Sequence, residues 1–393
     1  MENVFALISP HIEEDKIKQY LIKKGLDEIE IWSEGSIPPF INPLESIVIL
    51  LLSGGTEILV KHIVEKAFST VYVNCVPING SISATAELTG YYGNNSEIVI
   101  ASFSEDTFNL LFNIDRIKNS INRSKLMLIG RPHDWVLTSE NISAPSPFQS
   151  KLFPVNMREL RNEISKVKQE SAIAEAEYWD DKEDIINVPR EVYFSSALLY
   201  LSLKQLIDRT GANMLGVRCG DLQDYGASVC MALDRLNEEN IITSCEGDIE
   251  AAFSLKIINL LTNKSCWMTN ISHLDFMTGK IYLTHCTMPL DMYPLRKNDP
   301  DPVKNGFNFE DEFLNPKKKM PVTLFRLGKD QRYSVIEGKT SGNFMGKLCN
   351  CRDTLEMETE ENVTEWFDNI CGNHQILVYG NYADQIRYFF SIL

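Results

Sequence analysis

Hydrophobic and polar positions follow one pattern through the first third of the chain. Short apolar runs, mostly β-branched, are bounded by Gly, Pro, Asn or Ser, and stretches with helical spacing such as 13–24 and 56–67 separate them. Runs of this kind predict buried strands. The runs are Val4–Ser9, Ile47–Leu52, Val71–Cys75 and Ile98–Ser102. Strands that alternate with helices predict a parallel sheet covered on both faces.

A second series of the same kind begins at the apolar run Lys125–Gly130. The stretch Met157–Tyr178 has no internal Pro or Gly and is rich in Glu, Lys and Ala, which predicts one long helix. Alternating elements follow and predict a second α/β unit. They are the helices Ser195–Asp208, Tyr225–Asn237 and Asp248–Leu261 and the strands Met214–Cys219, Ile241–Cys245, Cys266–Thr269 and Ile281–His285.

The pattern changes after about residue 288, where prolines become frequent and helical periodicity is lost. Four runs there are typical of antiparallel strands with polar turns, and a helix near Ala383–Ile392 closes the chain. The runs are Val322–Arg326, Tyr333–Gly338, Thr354–Glu358 and Ile376–Tyr379. The predicted fold class is therefore α/β, with two doubly wound α/β domains (1–123 and 124–288) and a small β-barrel-like module (289–393).

Charge and composition narrow the function classes. The 393 residues carry a formal net charge of −16, and no basic cluster reverses it locally, so nucleic acid and anionic membrane surfaces are disfavoured as partners. No run of about 18 apolar residues exists, and the N-terminus lacks the basic and apolar regions of a secretory signal. The nine cysteines are scattered and odd in number, which favours reduced thiols in a cytoplasm.

Polar side chains end three of the predicted strands of the second unit. Glu246 follows the first of them, Asn270 the second, and His285 ends the third, while His374 precedes the last apolar run. Ligands of open α/β sheets gather outside the carboxyl ends of the strands, so we expect these side chains to share one polar site. Ordinary roles stay open for each, because Asp248 suits a helix N-cap, Glu246 favours the helix dipole and a lone histidine is often only hydrogen-bonded.

Three segments resemble motifs of one enzyme superfamily. Ser244–Ala252 looks like a C-E-G-D-x-x-A-A segment, Thr284–Pro289 like A-H-C-T-x-P, and Gly372–Gly380 like G-N-H-H-x-L-V-x-G. Weaker likenesses occur at Ser53–Glu57 and Gly130–Trp135. Their order and separation are similar to those of the L-fucose isomerase and L-arabinose isomerase superfamily, in its shorter fucose-isomerase-like branch.

The resemblance implies a site and an activity. Members interconvert aldoses and ketoses with Mn²⁺ or a similar divalent ion, with Co²⁺ or Zn²⁺ as the other candidates here. By this likeness Glu246, His285 and His374 are metal ligands, and members assemble as homo-oligomers in which a neighbouring subunit completes the site. Asn270 stands where the superfamily has a second acid. Its amide oxygen can coordinate a hard cation, but the amide cannot exchange a proton.

The chemistry explains the residue types. A metal on both substrate oxygens polarises the carbonyl and stabilises an enediol intermediate, while a carboxylate carries the proton between carbons. Glu246 is the predicted ligand and general acid/base. Because Asn270 replaces the partner acid, either Glu246 makes both transfers or a second carboxylate, Asp248 or Asp275, assists.

A second group of residues is predicted to bind the substrate. Arg131, His133 and Trp135 follow the strand that ends at Gly130, and Arg218 follows the strand that begins at Met214. Arginine beside histidine suits an anionic sugar substituent, although salt bridges are the alternative. Some members of the superfamily act on sulfoquinovose, which carries a sulfonate, and others act on neutral deoxy-sugars such as fucose. The leading interpretation is an isomerase of an unphosphorylated monosaccharide; a non-catalytic sugar-binding homologue and a metal-dependent hydrolase or lyase are the rivals.

Overall fold

The computed structural model describes most of the chain. The described residues are 4–34, 47–67, 70–93, 97–102, 116–180, 190–225, 229–285, 288–289, 292, 319–342, 353–391 and 393. They divide into two compact units, one formed by the described residues up to 116 and the other by those from 117 onward. Every structural statement below refers to the described residues of one of these units.

The first unit is built on a fully parallel five-stranded sheet. The strands are β1 (Val4–Leu7), β2 (Glu30–Trp32), β3 (Ile47–Leu51), β4 (Val71–Cys75) and β5 (Ile98–Ser102), with helices Glu14–Lys23, Glu57–Lys66 and Ser81–Tyr92. The strand order in the sheet is β2-β1-β3-β4-β5. Every residue of β3 and β4 is buried, as expected for strands covered on both faces. The four long predicted strands are confirmed, and the short β2 was missed because three residues are too few to show a periodic pattern.

The second unit begins with a four-stranded parallel sheet. Its strands are β6 (Lys125–Ile129), β7 (Lys151–Val155), β8 (Met214–Val217) and β9 (Ile242–Cys245). Their order in the sheet is β7-β6-β8-β9. Its helices are Met157–Ile164, Gln169–Asp180, Arg190–Thr210, Val229–Glu238 and Ile249–Thr262. The predicted α/β character of this region is confirmed.

A closed six-stranded antiparallel barrel completes the second unit. Its strands are β10 (Trp267–Asp275), β11 (Lys280–His285), β12 (Pro321–Leu327), β13 (Tyr333–Gly342), β14 (Asp353–Glu358) and β15 (His374–Tyr379). Their order around the barrel is β10-β11-β14-β13-β12-β15. The helices Val363–Asp368 and Ala383–Ser391 accompany it. Apolar side chains, including Trp267, Leu283, Leu324, Leu355 and Leu377, fill one continuous core. The predicted barrel-like module is confirmed.

Two predicted strands belong to the barrel and not to the second parallel sheet. The runs at 266–269 and 281–285 form β10 and β11, which pair with each other and with β15 and β14. Their assignment to the α/β unit was wrong, because partners such as Leu377, which pairs with Trp267, lie more than a hundred residues away and apolar runs do not reveal them. The barrel therefore takes strands from both sides of residue 288, while the exact domain boundaries stay a prediction.

Two further details differ from the sequence interpretation. The single helix expected at Met157–Tyr178 is two helices, Met157–Ile164 and Gln169–Asp180, separated by a turn in which Val167 is buried. Burial of an apolar side chain in the turn overrides helical propensity there. Among the described residues no helix has the length and apolar character needed to cross a membrane.

Candidate metal centre

The loop that follows β9 places Glu246 by an unusual backbone. Glu246 has φ +61° and Gly247 has φ +69°, so two consecutive residues adopt the left-handed region. Only glycine fits the second position, since a Cβ on Gly247 would lie 2.9 Å from the Cα of Pro132. The backbone N–H of His133 donates to the Glu246 carbonyl oxygen at 2.9 Å. A non-glycine residue held in this region is a local strain that marks functional sites more often than others.

The two histidines come from the barrel strands that flank β10 on either side, β11 and β15. His285 ends β11, and His374 begins β15 and is paired with Asn270 of β10. Both imidazoles are buried, and their ring centroids lie 5.7 Å apart at 80°. The barrel thus presents both rings to the carboxyl edge of the parallel sheet, where Glu246 lies.

Glu246, His285 and His374 form one cluster. One ligand atom from each lies within 4.8 Å of the others, and the three residues are the only such group of His, Cys, Asp or Glu that the described part of the chain contains. The Nε2 atom of His374 is buried without a hydrogen-bond partner and lies 3.6 Å from Oε2 of Glu246. Two imidazoles and one carboxylate with open positions suit a divalent transition metal, so the residues present fit the metal that the resemblance implies.

The electrostatics of the cluster are those of a carboxylate beside imidazoles. Burial opposes the charged form of Glu246, but His374 and the indole N–H of Trp135 outweigh it and lower its pKa to about 2. Burial, reinforced by the charge of His374, lowers the pKa of His285 to about 4. Burial also acts against His374, but Asp248 and Glu246 outweigh it and raise its pKa. At neutral pH Glu246 is therefore ionised and His285 is neutral, as metal ligands need to be.

Asp248 lies behind the cluster and not on its open side. Its side chain caps the helix Ile249–Thr262 by accepting from the N–H of Ala251, which confirms the N-cap prediction. It also contacts Arg326 at 2.9 Å and Nδ1 of His374 at 2.7 Å, and it is 1% exposed. A carboxylate so enclosed cannot reach a substrate carbon, which argues against the direct proton transfer that the sequence suggested for it. Arg326 was missed by the sequence interpretation, although a cation within an otherwise apolar strand is a signal that could have indicated it.

Asn270 and Asp275 have different surroundings from those expected. Asn270 does not end a strand but lies within β10, paired with Thr284 on one side and His374 on the other. Its Oδ1 accepts from Nδ2 of Asn373 at 2.8 Å, and its role as a ligand stays a prediction. Asp275 ends the same strand five residues later and accepts from turn amides, so the strand's rise separates it from Asn270 by about 16 Å. This separation along the strand does not favour Asp275 as the assisting acid, and that role stays a prediction.

Trp135 is the predicted substrate-binding residue that reaches the cluster. Its indole N–H donates to Oε2 of Glu246 at 2.5 Å, and its ring stacks on His133 at 4.2 Å while 66% of the residue is exposed. Burial, and then the charge of Arg218, lowers the pKa of His133. Nε2 of that imidazole accepts from the N–H of Gly220, so a neutral His133 supports the indole.

Arg131 and Arg218 are engaged by acids of their own loops. Arg218 donates to the Pro132 carbonyl oxygen at 2.7 Å and to Asp221 at 3.2 Å, and Asp134 lies 3.6 Å from it and 3.3 Å from Arg131. These contacts match the salt-bridge alternative. Their predicted role in binding an anionic substituent stays a prediction.

A cavity of about 1030 Å³ lies beside the cluster, and Glu246, His285 and His374 do not line it. Its wall includes Ile271, Phe367, Arg332, Gly372 and Asn373, the last two directly preceding His374. Volume alone does not identify the chemical centre, and the arrangement of donor atoms at Glu246, His285 and His374 is the more specific signal.

Fold and site together define a protein of parallel α/β sheets and an antiparallel barrel with a two-histidine, one-carboxylate candidate metal centre. No protein-family model matches the sequence. The chain is similar to proteins named sulfoquinovose isomerase from Priestia aryabhattai and Priestia megaterium, with 23% identity over 179 residues, 44% of this chain and 40% of each relative. It is also similar to a sulfoquinovose isomerase from Alkalicoccus urumqiensis, with 23% identity over 266 residues, 63% of this chain and 57% of the relative. The chain thus spans less than two thirds of the length of these relatives.

Proposed function

We propose that this protein is a metal-dependent sugar isomerase that interconverts an aldose and a ketose. The main observation in support is that Glu246, His285 and His374 lie together in one cluster. Within it, Nε2 of His374 is buried without a hydrogen-bond partner. Distant relatives named sulfoquinovose isomerase support the sugar-isomerase class and make a sulfonated hexose the first substrate to test. Mn²⁺ is the proposed metal, with Co²⁺ and Zn²⁺ as alternatives.

The roles of the protein's own residues follow from their positions. His285, His374 and Glu246 would hold the ion, which when bound would polarise the sugar carbonyl and stabilise negative charge on the substrate oxygens. Glu246 is the carboxylate of the cluster, and 20% of its side chain is exposed. Because a substrate can reach it, Glu246 is the group that removes the proton from C2 of the aldose. The same carboxyl returns that proton to C1, since Asp248 is enclosed and Asn270 cannot exchange a proton. The proton of the C2 hydroxyl moves from O2 to O1, which completes the ketose.

Trp135 contributes orientation. Its N–H holds one oxygen of Glu246, which leaves the carboxylate less free to rotate away from the substrate. Its largely exposed ring offers an apolar face to a sugar at the open side of the cluster.

The decisive experiment is an isomerisation assay on a panel of aldoses. We expect the protein with Mn²⁺ to convert sulfoquinovose, and less readily fucose, to the ketose, and EDTA to abolish turnover until Mn²⁺ is restored. Glu246→Gln keeps the shape of the side chain but removes the proton carrier, so kcat should fall at least about 100-fold. Glu140→Gln, a change on an exposed loop, is the matched control and should leave turnover unchanged. Full turnover by the Glu246→Gln protein would refute the proposed role.

One rival function has an observation of its own. Asn270 in place of an acid is compatible with a non-catalytic sugar-binding protein of the same fold. Sugar binding without ketose formation from any aldose, in the presence of Mn²⁺, would favour that rival. Formation of a cleaved or dehydrated product would instead indicate a hydrolase or lyase.

A further inference from the structure

Arg326 is a fully buried cation in the wall of the barrel. It lies on β12 between the apolar residues Phe325 and Leu327, and its side chain is 1% exposed. Nη2 donates to Oδ1 of Asp248 at 2.9 Å and to Oγ1 of Thr138 at 3.1 Å. A guanidinium is costly to bury unless it is well paired, and an apolar residue would serve packing alone better at this position. The contacts of Arg326 therefore need an explanation beyond the core.

Asp248 connects Arg326 to the candidate metal centre. Its Oδ1 accepts from Arg326 and from the N–H of Ala251, and its Oδ2 lies 2.7 Å from Nδ1 of His374. Both carboxylate oxygens are engaged, so the group cannot rotate. An ionised carboxylate can only accept a hydrogen bond, so Nδ1 of His374 carries the proton. In the neutral imidazole Nε2 then has the free lone pair, and it is the buried, unpartnered atom 3.6 Å from Glu246.

Gly372 provides the space that this arrangement needs. It lies two residues before His374 with φ +150°, and a Cβ there would come within 3.2 Å of both Nε and Nη2 of Arg326. Any larger residue would press on the guanidinium that holds Asp248. The glycine of the G-N-H segment is thus tied to Arg326 and not only to its own turn.

We propose that Arg326 is a positioning residue of the metal centre, which acts through Asp248 to fix the tautomer and orientation of His374. The inference rests on the proposed metal site and extends it to a residue that no motif contains. Removal of a residue that orients a metal-ligating histidine through a hydrogen bond typically weakens metal affinity by about 10–100-fold. Asp248 is on this basis a positioning residue too, and not a proton carrier.

The test compares the unsubstituted protein with Arg326→Met in two measurements. Titration calorimetry with Mn²⁺ should show a Kd that is about 10–100-fold higher in the variant. Long-range ¹H–¹⁵N spectra of the metal-free proteins, recorded above the His374 pKa, should show an Nδ1–H tautomer that becomes mixed in the variant. Arg326→Lys, which keeps the charge but not the planar fork, should give an intermediate Kd. Arg387→Met removes an exposed arginine from the same unit and should leave both readouts unchanged.

The second variant keeps the test decisive if Arg326→Met does not fold. Arg326→Met with Asp248→Asn removes both buried charges together, and it should still lose the fixed tautomer and the tight Mn²⁺ binding. An unchanged tautomer and a Kd within twofold of the unsubstituted protein, in either variant, would overturn the proposal. If the unsubstituted protein does not bind Mn²⁺, the proposed metal site itself is wrong, whereas the tautomer comparison still decides whether Arg326 fixes the imidazole.

Discussion

At the scale of single residues, the environment of Glu246 decides what the cluster can do. Its backbone is held in the left-handed region, one side-chain oxygen accepts from Trp135, and two histidines face it. These contacts keep it ionised, with a pKa of about 2, and ready to bind a cation. The sequence indicated Glu246, His285 and His374 correctly as one group through motif and strand-end position. It did not indicate that Trp135 would contact the carboxylate directly.

The contact between Trp135 and Glu246 gives a prediction. Trp135→Phe keeps an aromatic ring beside His133 but removes the N–H that donates to Glu246. A hydrogen bond to a charged group contributes about 1.5–3 kcal/mol, so kcat/KM should fall about 10-fold or more, with the fold retained. The steady-state rate is the measurement, and Leu137→Ala, an exposed change in the same loop, is the control. A Trp135→Phe protein as active as the control would show that this contact has no catalytic role.

At the scale of secondary-structure elements, the site depends on where two different sheets meet. The parallel strand β9 delivers Glu246, and the antiparallel strands β11 and β15 deliver the histidines. The sequence predicted the strands themselves well, since buried β-branched runs are a local signal. It placed β10 and β11 in the wrong sheet, because strand pairing is a non-local property.

Helix packing in the same unit allows a prediction on pH. Glu239 follows the helix Val229–Glu238 and accepts from Tyr200 and from Lys204 (2.5 Å) on the helix Arg190–Thr210. Burial opposes its charged form, but Lys204 and Tyr200 outweigh it and lower its pKa below 4.5. A depressed carboxyl pKa contributes stability above pH 4.5, and this is lost as the pH falls through the folded-state value.

Glu239→Gln should therefore destabilise the protein at pH 7 by about 1 kcal/mol, a figure discounted because a quarter of the side chain is exposed. The difference from the unsubstituted protein should shrink as the pH falls below 4.5 and through the lowered pKa of Glu239. Urea denaturation at several pH values measures it. Asp384→Asn, an almost fully exposed change, should not alter the midpoint at pH 7. A Glu239→Gln effect that stays constant between pH 7 and pH 3 would contradict the assignment.

At the scale of the whole molecule, the candidate metal centre joins three segments distant in sequence. Residues near 246, 285 and 374 meet within one compact unit, so an ion bound there would connect the parallel sheet to the barrel. A ligand that binds only the folded state stabilises it by mass action.

This linkage predicts a thermal effect of the metal. Mn²⁺ at 100 times its Kd should stabilise the fold by about 2.7 kcal/mol and raise the Tm by about 5–10 °C, and EDTA should reverse the shift. Scanning fluorimetry with and without metal measures the change. His285→Ala removes one of the three donors and should abolish most of the increase. Equal Tm values with Mn²⁺ and with EDTA, in the unsubstituted protein, would argue against the metal centre.

The sequence by itself determined the local elements, the α/β and barrel classes and the three residues of the cluster, because periodicity, strand-end polarity and short motifs are local properties. Only the tertiary structure decided that β10 and β11 join the barrel, that Asp248 is enclosed, and that Arg326 supports His374. The contacts of Asp248 with Arg326 and with His374 join residues 78 and 126 positions apart. Which buried charge meets which partner depends on how the chain closes upon itself, and no local pattern carries that information.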